Sequence, residues 1–279
     1  MAQKMLQEEG IYVPIVTTLH GTDITLVGSH PFYKPAVTFS INKSDAVTAV
    51  SQNLKDDTMR LFDIKNDINV VPNFIDLDKY KNDFIDCQRE MMATDEEKII
   101  THISNFRKVK RIEDIIHVFF RIQKEIPAKL MMVGEGPEKE PAEQLCIDLG
   151  IEDKVAFFGN SNEIDRILCF SDLFLLPSVT ESFGLVALEA MASGVPVISS
   201  NTGGLPEVNI HGVSGFLSNV GDVEDMTKNA LHILGDDHIL ETFKRNAKKE
   251  ALKFDIHSIV PQYEAIYEET LSKCIQYKF

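Results

Sequence analysis

Two glutamates within one short segment could act on a ligand together. Glu181 and Glu189 are separated by seven residues, and the segment between them leads from a buried strand through a loop into a predicted helix. The first N–H groups of a helix have no acceptor inside it, so those of Phe183, Gly184 and Leu185 could bind a phosphate. Carboxylates suit such a site if they accept hydrogen bonds from sugar hydroxyls. Taken alone, the two acids fit a solvated pair near a helix start equally well.

The dense basic run Arg107-Lys108-Val109-Lys110-Arg111 is the first place to look for a bound phosphate. It follows a predicted strand at Ile99–Ile103, so its turn lies at the same carboxyl edge of a parallel sheet as Glu181. Both turns should therefore reach one crevice. A solvated helix face is the alternative interpretation of the run.

The composition is that of a globular protein with about two domains. The chain has 279 residues, of which 44% are hydrophobic and 25% charged. A net charge of −15 argues against general nucleic-acid binding, which needs a basic face. Any anionic ligand must therefore be held locally.

The N-terminus is polar, and no run reaches the ~18 apolar residues of a membrane span. We therefore expect a cytoplasmic protein without a transmembrane segment. Its cysteines are widely spaced and lack metal-ligand spacing, so we expect reduced thiols. They are Cys87, Cys146, Cys169 and Cys274.

Short apolar runs alternate with amphipathic segments of helix length, which predicts right-handed βαβ units and a doubly wound α/β fold. Residues 1–75 carry few strands, the first predicted at Val13–Thr18, and begin with what looks like the end of a helix, so we expect an incomplete first Rossmann-like domain there. Residues 76–255 form the second Rossmann-like domain. We expect a helix in residues 256–279, packed on its own domain or crossing back to the first one.

The chain resembles the retaining glycosyltransferases of family 4, which have the GT-B fold of two Rossmann-like domains. The resemblance covers nearly the whole chain. It is carried by Glu181 and Glu189 and by the segments Leu19-His-Gly-Thr-Asp23, Val71-Pro-Asn-Phe-Ile-Asp76, Val133-Gly-Glu-Gly-Pro137, Met191-Ala-Ser-Gly-Val-Pro-Val-Ile198, Thr202-Gly-Gly-Leu-Pro-Glu207 and His211-Gly-Val-Ser-Gly-Phe216.

The resemblance implies a role for each residue of the crevice. Glu189 would bind the ribose hydroxyls and Glu181 the hydroxyls of the donor sugar, while Arg107 and Lys110 would bind the diphosphate. The family usually has an arginine five residues before the lysine, where this chain has Asn105. Arg107 lies only three residues before Lys110 and either takes that role or is a surface arginine.

Further residues are assigned through the same resemblance. The loops around Gly134 and around Phe158-Gly-Asn160 would flank the nucleotide base, although Gly134-Glu-Gly-Pro137 by itself indicates only a turn. His20 would contact the donor sugar near the reaction centre. A lone histidine after a strand is otherwise most often structural.

The expected activity is transfer of a sugar from a UDP-sugar to a small acceptor with retention, without a metal or another cofactor. Two alternatives stay open: a non-catalytic UDP-sugar-binding module and a UDP-sugar 2-epimerase. The first domain of a GT-B enzyme opens with a strand and a glycine-rich loop, and roughly ninety to a hundred residues of this kind are expected to be missing before His20. The sequence leaves the oligomeric state open, a homo-oligomer included.

Overall fold

In the computed structural model, residues 2–25, 28, 30–80 and 89–276 are described, and the side chains of residues 2, 4, 7, 23 and 274–276 are outside that description. The chain forms two compact units. The first comprises Met1–Phe74 and Ile256–Phe279, and the second comprises Ile75–Asp255.

The strands within the described residues are β1 Val16–Leu19, β2 Ala46–Ala49, β3 Ile68–Val70, β4 Lys98–Ile103, β5 Ala128–Val133, β6 Val155–Phe157, β7 Leu173–Leu176, β8 Val197–Ser200 and β9 Gly215–Ser218. The α-helices are α1 Ala2–Glu8, α2 Thr22–Thr25, α3 Lys34–Lys43, α4 Gln52–Leu61, α5 Ile112–Ile122, α6 Lys139–Leu149, α7 Ile164–Cys169, α8 Leu185–Ala192, α9 Leu205–Val208, α10 Val223–Leu234, α11 Asp237–Ala251 and α12 Ile256–Gln276.

The first unit is built on a parallel sheet with the strand order β1-β2-β3. The hydroxyl of Ser51 caps α4 by accepting a hydrogen bond from the Leu54 N–H at 3.1 Å. The last helix, α12, packs in this unit, where the Tyr263 hydroxyl donates to the Val71 carbonyl at 3.2 Å. The long C-terminal helix therefore contributes to the core of the unit that contains the start of the chain.

The second unit contains a six-stranded parallel sheet in the order β6-β5-β4-β7-β8-β9. Its first strand, β4, lies in the middle, and later strands are added outward on both sides. The order therefore reverses between β4 and β7. In open α/β sheets ligands bind outside the carboxyl ends of the strands at this switch point, so the topology alone marks one crevice.

One apolar cluster holds the helices of the second unit to the sheet. The amphipathic helix α5 buries one face against the sheet, including Ile115, Ile116 and Phe119, all fully buried. Met226 and Ala230 of α10 belong to the same cluster. Burial of each large side chain stabilises the fold by about 1.5–3 kcal/mol, so this cluster stabilises the packing of the helices on the sheet.

Parallel sheets with helices between consecutive strands confirm the predicted α/β class. Helix α8 begins at Leu185, where the sequence predicted the start of a helix. The prediction that the first strand starts at Val13 is wrong: β1 begins at Val16, after Pro14, which has no N–H to donate to a neighbouring strand.

Helix α11 was not predicted, because charged residues dominate its sequence. Its apolar residues are few but regularly spaced, with Leu240, Phe243 and Ala247 buried. The Asp236 side chain accepts hydrogen bonds from two N–H groups at its start. An aspartate directly before a helical pattern is a typical N-cap, so Asp236 is the sequence feature that indicates the start of α11.

The prediction of reduced cysteines is wrong for one residue. Cys146 is free and buried, whereas Cys169 is disulfide-bonded. Spacing along the chain carries no information on which cysteines the fold brings together. Cys87 and the side chain of Cys274 lie outside the described residues. Among the helices of the described part of the chain, none is long and apolar enough to cross a bilayer.

Candidate active site

Two turns meet at the switch point of the second unit. The turn after β4 contains a short 3-10 helix, Lys108–Lys110, in which the Lys110 N–H donates to the Arg107 carbonyl at 2.8 Å. The turn after β7 leads to α8. The Val179 N–H of the second turn donates to the Val109 carbonyl of the first at 2.8 Å, which ties the two turns together.

Lys110 and Glu181 form an ion pair across this junction. The Lys110 ammonium donates to Oε1 of Glu181, and the Ser178 hydroxyl donates to the same oxygen at 3.0 Å. Only 18% of the Lys110 side chain and 15% of the Glu181 side chain are exposed, so solvent screens the pair poorly. The structure thus brings together one cation and one carboxylate that the sequence placed at this edge. Ser178 was not anticipated, although it lies only two residues after the end of the buried strand β7.

Helix α8 begins at this junction with an unusual backbone. Its N-cap is Gly184 at φ +95°, in the left-handed region where a side chain would be strained. Phe183 is buried and packs edge-on against Phe254 at 5.6 Å, whereas Leu185 is exposed. The anchored phenylalanine fixes the start of the helix, whose first N–H groups lack an acceptor within the helix.

Glu189 lies more than one turn into α8 and is partly buried. Burial raises the pKa of its carboxyl group above the ordinary value. Two effects raise the pKa of the Tyr80 phenol above its ordinary value. Burial is the larger effect, and the negative charge of the nearby Glu189 is the next. Tyr80 was missed from the sequence because a tyrosine after a proline-containing linker has no pattern of its own.

A third turn supports the Glu181 main chain. The Gly204 N–H donates to the Glu181 carbonyl at 2.8 Å, and the Thr202 hydroxyl donates to the Val179 carbonyl at 3.1 Å. Gly203 has φ +57°, and a Cβ atom there would stand 1.8 Å from the Glu181 carbonyl oxygen. Glycine at 203 is therefore required both by the backbone conformation and by the close approach.

The other predicted residues occupy separate positions. The Gly134 N–H donates to the Gly159 carbonyl at 2.9 Å, so the loops carrying Gly134, Phe158 and Asn160 are joined after β5 and β6. Arg107 is exposed in the turn after β4. His20 is exposed directly after β1 of the first unit. Their roles toward a donor stay predictions.

Comparison with known proteins assigns the chain to a family. Residues 87–250 match the family model described as glycosyl transferases group 1, and residues 8–79 match the model of glycosyltransferase family 4. An N-acetyl-alpha-D-glucosaminyl L-malate synthase from Bacillus anthracis is 44% identical over 97% of this chain and 71% of its own length. This chain is a family 4 glycosyltransferase.

Other relatives of this glycosyltransferase agree. An uncharacterized glycosyltransferase from Methanocaldococcus jannaschii is 30% identical over 92% of the chain and 69% of its own length. The crystal structure of Anabaena HepE in complex with UDP-glucose superposes with a TM-score of 0.82 at 23% identity, covering 92% of this chain and 72% of that one. The predicted GT-B fold is confirmed.

The close approach at Gly203 generates a first prediction. In Gly203→Ala the methyl group would displace the Glu181 carbonyl, so UDP affinity should fall about tenfold. Gly212→Ala is the matched control, since Gly212 has φ +74° but open space where a Cβ would stand. Its left-handed strain should cost about 1 kcal/mol of stability without affecting UDP binding. Equal UDP affinities in calorimetry for the two variants would contradict this account.

A second prediction concerns the charge on Glu189. Burial places its folded-state pKa above the unfolded value of about 4.3. The folded state therefore favours the protonated form, and this stability, present below the unfolded pKa, is lost as the pH rises through the folded pKa. Glu189→Gln should melt at a higher temperature than wild type at neutral pH, with a smaller difference under acidic conditions.

The predicted contact of Glu189 with ribose adds a second expectation: the same variant should bind UDP more weakly at neutral pH, because an amide accepts hydrogen bonds from hydroxyl groups less strongly than a carboxylate. Glu264→Gln, which changes an exposed glutamate of α12, should alter neither property. Melting curves at several pH values and calorimetry with UDP measure both effects. A Glu189→Gln protein no more stable than wild type at neutral pH would refute the argument from burial.

Proposed function

We propose that this glycosyltransferase moves N-acetylglucosamine from UDP-N-acetylglucosamine to the hydroxyl group of L-malate, with retention at the anomeric carbon. This reaction belongs to bacillithiol synthesis. The observation that carries the proposal is the ion pair between Lys110 and Glu181 beside the start of α8, in a chain 44% identical to a synthase of that name.

The charge pattern supports breakage of a bond between a sugar and a phosphate. When the anomeric carbon separates from the diphosphate oxygen, negative charge develops on that oxygen. The Lys110 ammonium and the N–H groups at the start of α8 supply fixed positive charge for it. Arg107 is exposed in the same turn and adds a further cation.

Lys110 can serve the diphosphate without leaving Glu181. An ammonium group has three donors, of which the ion pair occupies one. Glu181 keeps its second carboxylate oxygen for hydroxyl groups of the sugar, since the hydrogen bonds from Lys110 and Ser178 both reach Oε1. Glu189 takes the ribose hydroxyls, and Gly134, Phe158 and Asn160 flank the base. His20 contacts the transferred sugar.

The two substrates supply every atom and the proton that the group transfer needs. The bond between the anomeric carbon and the diphosphate breaks, the malate hydroxyl oxygen bonds to that carbon on the same face, and its proton passes to the departing diphosphate. The positive groups already present carry the electrostatic part of this step, so we propose that no metal is needed. A location in the cytoplasm, where nucleotide sugars are made, completes the proposal.

Replacement of Lys110 tests the proposal. Lys110→Ala should lower kcat for UDP release by about a hundredfold or more, because a charge positioned for the transition state is lost. Lys108→Ala is the control, since Lys108 is exposed in the same 3-10 turn. A coupled assay with UDP-N-acetylglucosamine and L-malate gives both rates. Undiminished turnover in Lys110→Ala would contradict the proposed role of Lys110 at the diphosphate.

The acceptor has its own control. Succinate matches malate in its two carboxylates but has no hydroxyl group, so it should bind in competition with malate without releasing UDP. Retention is checked by the anomeric coupling in the proton spectrum of the product. UDP binding without turnover on any acceptor would instead indicate a nucleotide-sugar-binding module.

A further inference from the structure

The two central strands of the second unit stop pairing with each other before they end. The β4–β7 register joins Ile100 to Leu173 and Thr101 to Phe174, although β4 continues to Ile103 and β7 continues beyond Phe174. Main-chain pairing holds the carboxyl end of β4 to β5 and that of β7 to β8, but it does not join these two ends to each other. These ends lead directly into the turns that carry Lys110 and Glu181.

The side chain of His102 occupies this position. It is fully buried, with its Nδ1 atom 2.8 Å from the Leu175 carbonyl of β7 and its Nε2 atom 2.7 Å from the Ser104 hydroxyl. Its ring stacks on Phe106 at 6.1 Å and on Phe174 at 6.2 Å. One imidazole thus connects the end of β7 to the beginning of the turn after β4.

The hydrogen bonds define the state of the ring. The Leu175 carbonyl only accepts, so Nδ1 carries the hydrogen, and in the neutral ring Nε2 accepts from the Ser104 hydroxyl. Burial lowers the pKa of His102 to about 4 against the opposing effect of the Leu175 hydrogen bond, and the charge of Lys110 lowers it as well. His102 is therefore neutral at physiological pH and adds no charge next to Lys110.

We propose that His102 is a positioning residue of the donor site: beyond the last paired residues of β4 and β7, its imidazole bridges the two strands and sets the distance between the Lys110 and Glu181 turns. An apolar residue would fill the same volume without the cost of burying polar atoms. What the histidine adds is two directed hydrogen bonds, one to each side of the switch point. The proposal uses the proposed function only in naming UDP as the probe.

Three variants separate this role from simple packing. His102→Phe keeps an aromatic ring for the stack and removes both hydrogen bonds, and should weaken UDP binding about tenfold. His102→Asn keeps an amide donor near the Nδ1 position and should weaken it only about threefold. His232→Phe changes an exposed histidine in the same unit and should bind UDP as wild type does.

A readout independent of UDP is the hydrogen exchange of the Val179 amide, which donates to Val109 and so reports the contact between the two turns. It should exchange faster in His102→Phe than in His232→Phe. In wild type, the nitrogen NMR spectrum should show the His102 hydrogen on Nδ1. This last measurement needs no variant and holds even if His102→Phe fails to fold.

Two results would overturn the proposed role of His102. A hydrogen on Nε2 of His102 would overturn the proposal, as would a His102→Phe protein with reduced thermal stability but unchanged UDP affinity and unchanged Val179 exchange. If wild type does not bind UDP, the proposed function fails, and the Val179 exchange and the tautomer still decide whether His102 positions the two turns.

Discussion

The ion pair between Lys110 and Glu181 depends on the strand order of the second unit. Its two members follow β4 and β7, the strands between which the chain order reverses, so the pair forms only if both strands take their central places. The Val179–Val109 hydrogen bond and the hydrogen bond from Gly204 to the Glu181 carbonyl hold the main chain around Glu181. Loss of any one support would move a charge that is nearly out of solvent, where its position determines its energy.

Under the proposed function, a chain with a net charge of −15 has to hold a diphosphate. The overall field repels an anion, so binding depends on donors within contact distance. Lys110 is paired with a carboxylate and has further donors for the ligand. The N–H groups at the start of α8 add partial positive charge. In this proposal, the anionic ligand is held by a few positioned donors and not by a basic surface.

The sequence predicted the fold through the alternation of strands and helices, and it predicted the edge where Lys110 meets Glu181, because parallel topology sends both turns to one side. It did not predict His102, Ser178 or Tyr80. Their importance comes from neighbours distant in the chain: Leu175 for the histidine and Glu189 for the tyrosine. A single sequence carries periodicity and turn chemistry, but it does not carry the pairing of side chains from different elements, and the prediction for Cys169 failed for the same reason.

The residue after Lys110 shows that this placement has a local cost. Arg111 is the one residue other than glycine with a positive φ, +52°, in the described part of the chain. Left-handed backbone costs about 1–2 kcal/mol for such a residue. Its guanidinium donates to both Asp114 oxygens, at 2.5 and 3.0 Å, and this bidentate pair in the first turn of α5 offsets part of the strain. The chain turns sharply between the Lys108–Lys110 helix and α5, so this strained residue lies directly after Lys110.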